Sequence, residues 1–300
     1  MVPNQPITQL ITAGRPLISV EFFPPKDTSS EAFLHNTIAD LECEGVRQPD
    51  FVSITYGAGG STQERTLRYA CMLKERYGLQ VMPHLTCVGA SRRDLDAVLT
   101  RYWEAGFRNI MTLRGDPPGG AQDFVPAPDG FSHADELVQF IHERFPDQCL
   151  GVAGYPEKHP EAASFEEDVR HLREKVEAGA EFITTQLFYD NACFFRFVER
   201  CRQAGIMVPI FPGLMPVVSL EQTQRFCSLC HASLPPTLED RLQKARDSEA
   251  VQQVGIDWAC EQIESLLHHD VPGIHLYTLN RSASAKALVQ KFWPGKTYAG

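Results

Sequence analysis

Short apolar, β-branched runs recur along the chain at Leu17–Phe22, Phe51–Thr55, Val81–Leu85, Asn109–Leu113, Cys149–Ala153, Phe182–Gln186, Val208–Leu214 and Gly273–Tyr277. Each has the length of a strand, and between them lie longer stretches with helical spacing, as at Leu95, Val98, Leu99 and Tyr102 or Val169, Leu172 and Val176. The runs are nearly continuous rather than alternating. That is the pattern of parallel strands covered on both faces. Thr28 with Glu31, Ser61 with Glu64, Ser164 with Glu167 and Ser219 with Gln222 have capping-box spacing and predict helix starts. Gly45, Gly78, Gly106, Gly179 and Gly205 follow helical stretches and predict their ends.

Strand and helix alternate eight times with no break in composition, which favours a closed (β/α)8 barrel over an open doubly wound sheet. The 300 residues suit such a barrel, typically about 250 residues plus insertions. Leu234–Leu267 reads as extra helices before the last strand, punctuated by Pro235, Pro236 and Asp247. With no linker or low-complexity tract, residues 1–300 read as a single catalytic domain.

Composition narrows the partners. The chain is 43% hydrophobic and 22% charged, as soluble domains are, and lacks the roughly 18 to 20 unbroken apolar residues of a membrane span. The first ten residues have neither the basic nor the apolar region of a secretory signal, so the expected location is cytoplasmic. Nine cysteines then read as reduced thiols rather than a disulfide framework. A net charge of −10, without a Lys/Arg-rich run, argues against nucleic acid. Anionic ligands must be met by local cations in a pocket.

In a (β/α)8 barrel, ligands bind at the carboxyl ends of the strands. Polar residues fall there repeatedly: Glu21, Thr55, His84, Arg114 with Asp116, Tyr155, Gln186, and Asn280 with Arg281. Each also has a structural explanation. Glu21 could be a buried carboxylate paired with a barrel cation, though ionised carboxylates are rarely buried without a function. His84 could be a hydrogen-bonded core histidine, Arg114 and Asp116 a turn salt bridge, and Gln222 a capping residue. Gly57–Ser61 lacks the lysine of a phosphate-binding loop and the glycine spacing of a dinucleotide fingerprint. Cys227-Ser-Leu-Cys230-His231 matches a haem-attachment pattern but falls in a predicted helix without an export signal, and without a second cysteine pair it is no zinc site.

Read together, seven stretches in order resemble the methylenetetrahydrofolate reductase family. They are Glu21–Lys26, Phe51–Ala58, Pro83–Cys87, Leu113–Pro118, Val152–Glu157 with His159–Glu161, Thr185–Phe188 and His275–Arg281. The resemblance implies a (β/α)8 barrel that holds FAD non-covalently and transfers electrons from NADH or NADPH to 5,10-methylenetetrahydrofolate in ping-pong order, feeding methionine synthesis. By matching position, Thr55, Tyr56, Ala58, His84, Arg114, Gly115, Asp116, Tyr155, His159, Ala162, Asp168, His171 and Lys175 would hold the flavin. Glu21 would be the general acid, and Asp116, Gln186, Gln222 and Arg281 would contact the folate. Phe131–Asp135 departs in length from the family pattern, so no flavin contact is assigned there.

Glu21 lies between hydrophobic neighbours including Phe22 and Phe23, an environment expected to raise its pKa so that it remains an acid near neutrality. No metal is implied, and a homo-oligomer is the expected assembly. The chain ends at Gly300, just past the barrel, so the expectation is a catalytic domain without the regulatory domain of eukaryotic members. An alternative is a barrel methyltransferase that binds folate or homocysteine through zinc, which would need clustered Cys and His at strand ends. A non-catalytic flavin or folate store is another, distinguished by its inertness to NADH.

Overall fold

The computed structural model describes residues 4–11, 14–42, 46–57, 63–116 and 124–295. Nine strands occur among them: β1 (Leu17–Phe22), β2 (Phe51–Ile54), β3 (Val81–Thr86), β4 (Asn109–Leu113), β5 (Cys149–Gly154), β6 (Phe182–Thr185), β7 (Ile210–Phe211), β8 (Gly213–Leu214) and β9 (Gly273–Tyr277). The helices are α1 (Ile7–Ile11), α2 (Thr28–Leu41), α3 (Gln63–Tyr77), α4 (Arg92–Glu104), α5 (Ala134–Arg144), α6 (Phe165–Glu177), α7 (Asn191–Gln203), α8 (Leu220–Cys230), α9 (Pro236–Gln243), α10 (Ser248–Leu267) and α11 (Ser282–Phe292). No helix among the described residues is long and apolar enough to cross a membrane.

All neighbouring strands are parallel, in the order β7-β6-β5-β4-β3-β2-β1-β9-β8. The two ends are halves of one segment, because β7 pairs with β6 and β8 pairs with β9. Pro212 lies between the halves; it has no N–H to donate, while its carbonyl accepts from His275 N at 3.0 Å. Counting that segment as one strand closes a (β/α)8 barrel, with α9 and α10 as the extra helices before β9.

Side-chain alternation divides the core. Ile18, Val20 and Phe22 of β1 join the layer between strands and helices, with Leu34 and Ile38 of α2 and Leu288 of α11. Leu17, Phe51, Met82, Met111, Cys149, Phe182 and Phe211 form a second cluster with Ile7 of α1, filling the barrel at its amino end. α1 plugs that end: Asn109 Oδ1 accepts from Ile7 N at 2.8 Å, and its Nδ2 donates to Gln5 O at 2.8 Å. The opposite end is left for ligands.

Helix boundaries follow the sequence, with one correction. Ser164 and Ser219 cap α6 and α8 as expected. At α2, however, the cap is Asp27, whose side chain accepts from Ser30 N, rather than Thr28, the first helical residue. A carboxylate one residue earlier reaches the exposed amide and complements the helix dipole. Gly78, Gly106, Gly179 and Gly205 have positive φ after their helices, whereas Gly45 and Ser61 lie outside the described residues.

Candidate active site

A cavity of about 1150 Å³ opens at the carboxyl ends of the strands. It exceeds the roughly 300 to 1,000 Å³ usual for a single small ligand. Its walls contain Glu21, Thr55, Tyr56, His84, Arg114, Gly115, Asp116, Tyr155, His159, Ala162, Asp168, His171, Lys175 and Gln186. These come from the carboxyl ends of six strands, from the loops that follow them and from α6, so their meeting is a product of barrel closure. Gln222 and Arg281 do not line the cavity: Gln222 N donates to its cap Ser219 Oγ, and Arg281 is exposed at the start of α11. Ala58 lies outside the described residues.

Glu21 is the most deeply set carboxylate of the cavity, 7% exposed. Its Oε2 lies 3.3 Å from His84 Nε2 and 3.6 Å from His275 Nε2, and accepts from Ser53 Oγ at 3.3 Å. His275 Nδ1 lies 2.8 Å from Ser19 Oγ, so Ser19, His275 and Glu21 line up as a row of close polar contacts. The expected rise in the Glu21 pKa is not found. Burial pushes it up, but the hydrogen bond with His275, the charges of His84 and His275, and the Ser53 hydroxyl together pull it below the ordinary value. The sequence neighbours are not the spatial ones: Phe22 belongs to the outer core, and Phe23 is 40% exposed. Burial likewise lowers the pKa of His84, against the pull of Glu21.

A second region sets two basic side chains among carboxylates. Arg114 forms a bidentate pair with Glu161, both contacts 2.6 Å, rather than a turn salt bridge with Asp116. Its guanidinium also lies over the Phe124 ring. Lys175 of α6 donates to Ala153 O at 3.2 Å, and burial lowers its pKa despite nearby Asp168 and Asp135. Asp168 accepts from His159 N at 3.1 Å, and burial raises its pKa. The His159 ring packs edge-on against Tyr155, 4.6 Å between centroids. Lys175 and Arg114 are thus partly desolvated before any anion binds, and a phosphate would stabilise their charged forms.

Four buried polar atoms on cavity-lining residues lack a hydrogen-bond partner among the described residues: the hydroxyls of Thr86, Thr112 and Thr184 and Nε2 of His84. Such atoms call for a ligand or water. Gly115 has φ 87°, and a Cβ there would come within 2.6 Å of Val88 Cγ1, so backbone approaches the β3 loop where a side chain could not. Sequence reasoning missed His275, Ser19 and Ser53. The signal was the inward alternation Gly273, His275, Tyr277, whose meaning depends on the β1–β9 register that sets Ser19 against His275. Among the described residues no three His, Cys, Asp or Glu side chains are grouped to hold a metal, so the zinc-dependent reading has no ligand set there.

Fold and cavity define a (β/α)8-barrel protein whose ligand cleft joins a buried Glu–His cluster to a wall carrying Arg114 and Lys175 with their acidic neighbours. The chain belongs to the methylenetetrahydrofolate reductase family, which it matches over residues 6–292. It is 38% identical over 290 residues to methylenetetrahydrofolate reductase (NADH) 1 of Arabidopsis thaliana, covering 93% of this chain and 48% of that protein. It is also 38% identical over 290 residues to the 5,10-methylenetetrahydrofolate reductase of Pectobacterium carotovorum subsp. carotovorum, covering 95% and 92%. The chain therefore spans about half the length of the plant relative and nearly all of the bacterial one. Among solved structures, a Clostridium thermocellum protein described as binding two copies of 5-methyl-5,6,7,8-tetrahydrofolic acid shares the fold, with a TM-score of 0.62 at 16% identity over 96% of this chain and 98% of that one.

Proposed function

We propose that this protein reduces the methylene carbon of 5,10-methylenetetrahydrofolate to a methyl group, with NADH or NADPH as donor and non-covalent FAD as carrier. The family supports folate reduction, and the NADH in the name of the Arabidopsis relative supports the donor. The observation that carries the reading is Glu21, buried beside two imidazoles in a cleft with room for more than one ligand. The donor set fits a flavin dinucleotide: Arg114, His159 and Lys175 would offset phosphate charge, and the unpartnered threonine hydroxyls and His84 Nε2 suit a heteroatom-rich ring edge. A bound FAD supplies reversible hydride storage, which lets donor and folate use the cleft in turn.

The chain itself must manage a proton. Opening the folate's five-membered ring requires protonation of a ring nitrogen, and Glu21 Oε2 is the atom that delivers it. The lowered pKa leaves the resting carboxyl ionised. Covering the cleft with folate removes water and favours its protonated form, the proton being taken up from solvent before the cleft is covered, with His84 and His275 within 3.3 and 3.6 Å of the carboxylate. Asp116, on the cleft wall, stabilises the cation that ring opening creates. Gln186 would orient the folate. The reading also holds residues 1–300 to be one catalytic domain that assembles as a homo-oligomer.

Anaerobic stopped-flow absorbance of the wild type and Glu21→Gln tests this. The yellow wild-type protein should bleach with NADH or NADPH and recover its colour with methylenetetrahydrofolate. In Glu21→Gln, bleaching should change little and recovery should slow by about 10² to 10⁴-fold. Recovery at the wild-type rate would make Glu21 a structural carboxylate, and a colourless protein inert to both donors would remove the flavin reading.

A further inference from the structure

The turn that follows β9 is held in an unusual conformation beside the cleft. Leu279 and Asn280 are consecutive non-glycine residues with φ of 52° and 58°. Positive φ is uncommon outside glycine and unfavourable for a bulky side chain such as leucine. Such a conformation persists only where its surroundings over-determine it.

Here those surroundings are the backbone of the catalytic strand. Asn280 Oδ1 accepts from Phe23 N at 2.8 Å, and Asn280 Nδ2 donates to Phe23 O at 2.9 Å. Thr278 Oγ1 donates to Glu21 O at 2.9 Å, and Thr37 Oγ1 of α2 donates to Asn280 O at 2.6 Å. Register between β1 and β9 stops at Glu21 opposite Tyr277. Two residues further on, one amide side chain exchanges both of the hydrogen bonds that a strand backbone would have supplied. The substitution has a geometric consequence. A continuing strand would run on past the barrel rim, whereas the left-handed turn brings Leu279 to the cleft wall, where Phe23 also lies.

We propose that Asn280 is a positioning residue that clamps Phe23, and with Thr278 fixes the Glu21–Phe23 backbone against which folate is reduced. The proposal deepens the reductase reading and rests on it for its catalytic part. Asn280 does not touch the substrate; it acts through Phe23 and Glu21.

Asn280→Gly is the informative variant, because glycine accepts φ near 58° without strain, keeping the turn and removing only the amide. Two measurements on the purified holo-protein decide the matter. Amide hydrogen exchange at Phe23 is expected to speed up about tenfold, with the melting temperature close to wild type. The maximal rate of methylenetetrahydrofolate reduction is expected to fall about 10 to 100-fold, with little change in KM for NADH. Asn280→Asp, which keeps the acceptor for Phe23 N and loses the donor to Phe23 O, should recover part of both. Wild-type exchange at Phe23 in Asn280→Gly, or a wild-type reduction rate, would overturn the clamp. The exchange measurement needs no substrate, so a wild-type protein that fails to reduce methylenetetrahydrofolate would count against the proposed function alone.

Discussion

His84 and His275 flank Glu21, and this cluster sets an acid limit on the protein. His84 is buried, which disfavours its charged form; the Glu21 carboxylate pulls its pKa up, nearby His275 pushes it down, and the net direction is below the ordinary 6.5. His159 is lowered too, by burial first and by Arg114 and Lys175, against the pull of Glu161 and Asp116. When a histidine's folded pKa lies below its unfolded value, the unfolded chain binds more protons between the two. Stability is then complete above about 6.5 and declines as the pH falls through that window. Glu21, also lowered, extends the loss to more acidic pH, below its ordinary 4.5. The melting temperature of the protein should therefore drop between pH 7.5 and 5.5, and drop less for His84→Gln. A variant with the wild-type slope would place the acid sensitivity in other groups.

Single elements show why residue type alone could not assign the site. β5 and β6 pair with Gly151 opposite Phe182, and a Cβ on Gly151 would lie 2.4 Å from Phe182 Cζ. The absent side chain is the space that the phenyl ring occupies in the inner cluster. Gly151→Ala is expected to cost about 1 to 3 kcal/mol, as overpacking does, and urea denaturation would measure it. A loss within a few tenths would mean that Phe182 has a second rotamer available. α8 tells the opposite story for a motif. Cys227 is buried and Cys230 faces the cleft, with burial raising both thiols to about 11, so neither is poised as a metal-binding thiolate. His231 instead closes the helix with φ 53°.

For the whole molecule, the barrel is a tube with one end stoppered and the other open. The stopper depends on Asn109, 1% exposed, whose amide satisfies Ile7 N, Gln5 O and Asn4 Oδ1. Asn109→Ala leaves those groups without their partner beneath a buried apolar cluster, at a cost of about 1 to 3 kcal/mol. An unshifted urea midpoint would mean that α1 contributes nothing to closure. The open end sets Arg114 and Lys175 beside carboxylates such as Glu161 and Asp168 in a chain of net charge −10.

The sequence by itself determined the strands, their parallel character and the residues that end them, because burial on both faces leaves a continuous apolar run and barrel ligands gather where those runs stop. Glu21, Thr55, His84, Arg114, Tyr155 and Gln186 were legible on that ground, and the order of the motifs named the family. Tertiary structure decided the rest. The strand before β9 is split at Pro212, and the two halves bond to different neighbours. Arg114 pairs with a glutamate 47 positions away rather than with nearby Asp116. The Glu21 pKa moves down rather than up because inward alternation and the β1–β9 register surround it with Ser53, His84 and His275, while Phe22, next to it in sequence, packs in the outer core. Periodicity encodes which face a residue occupies. Only closure of the barrel decides what meets it there.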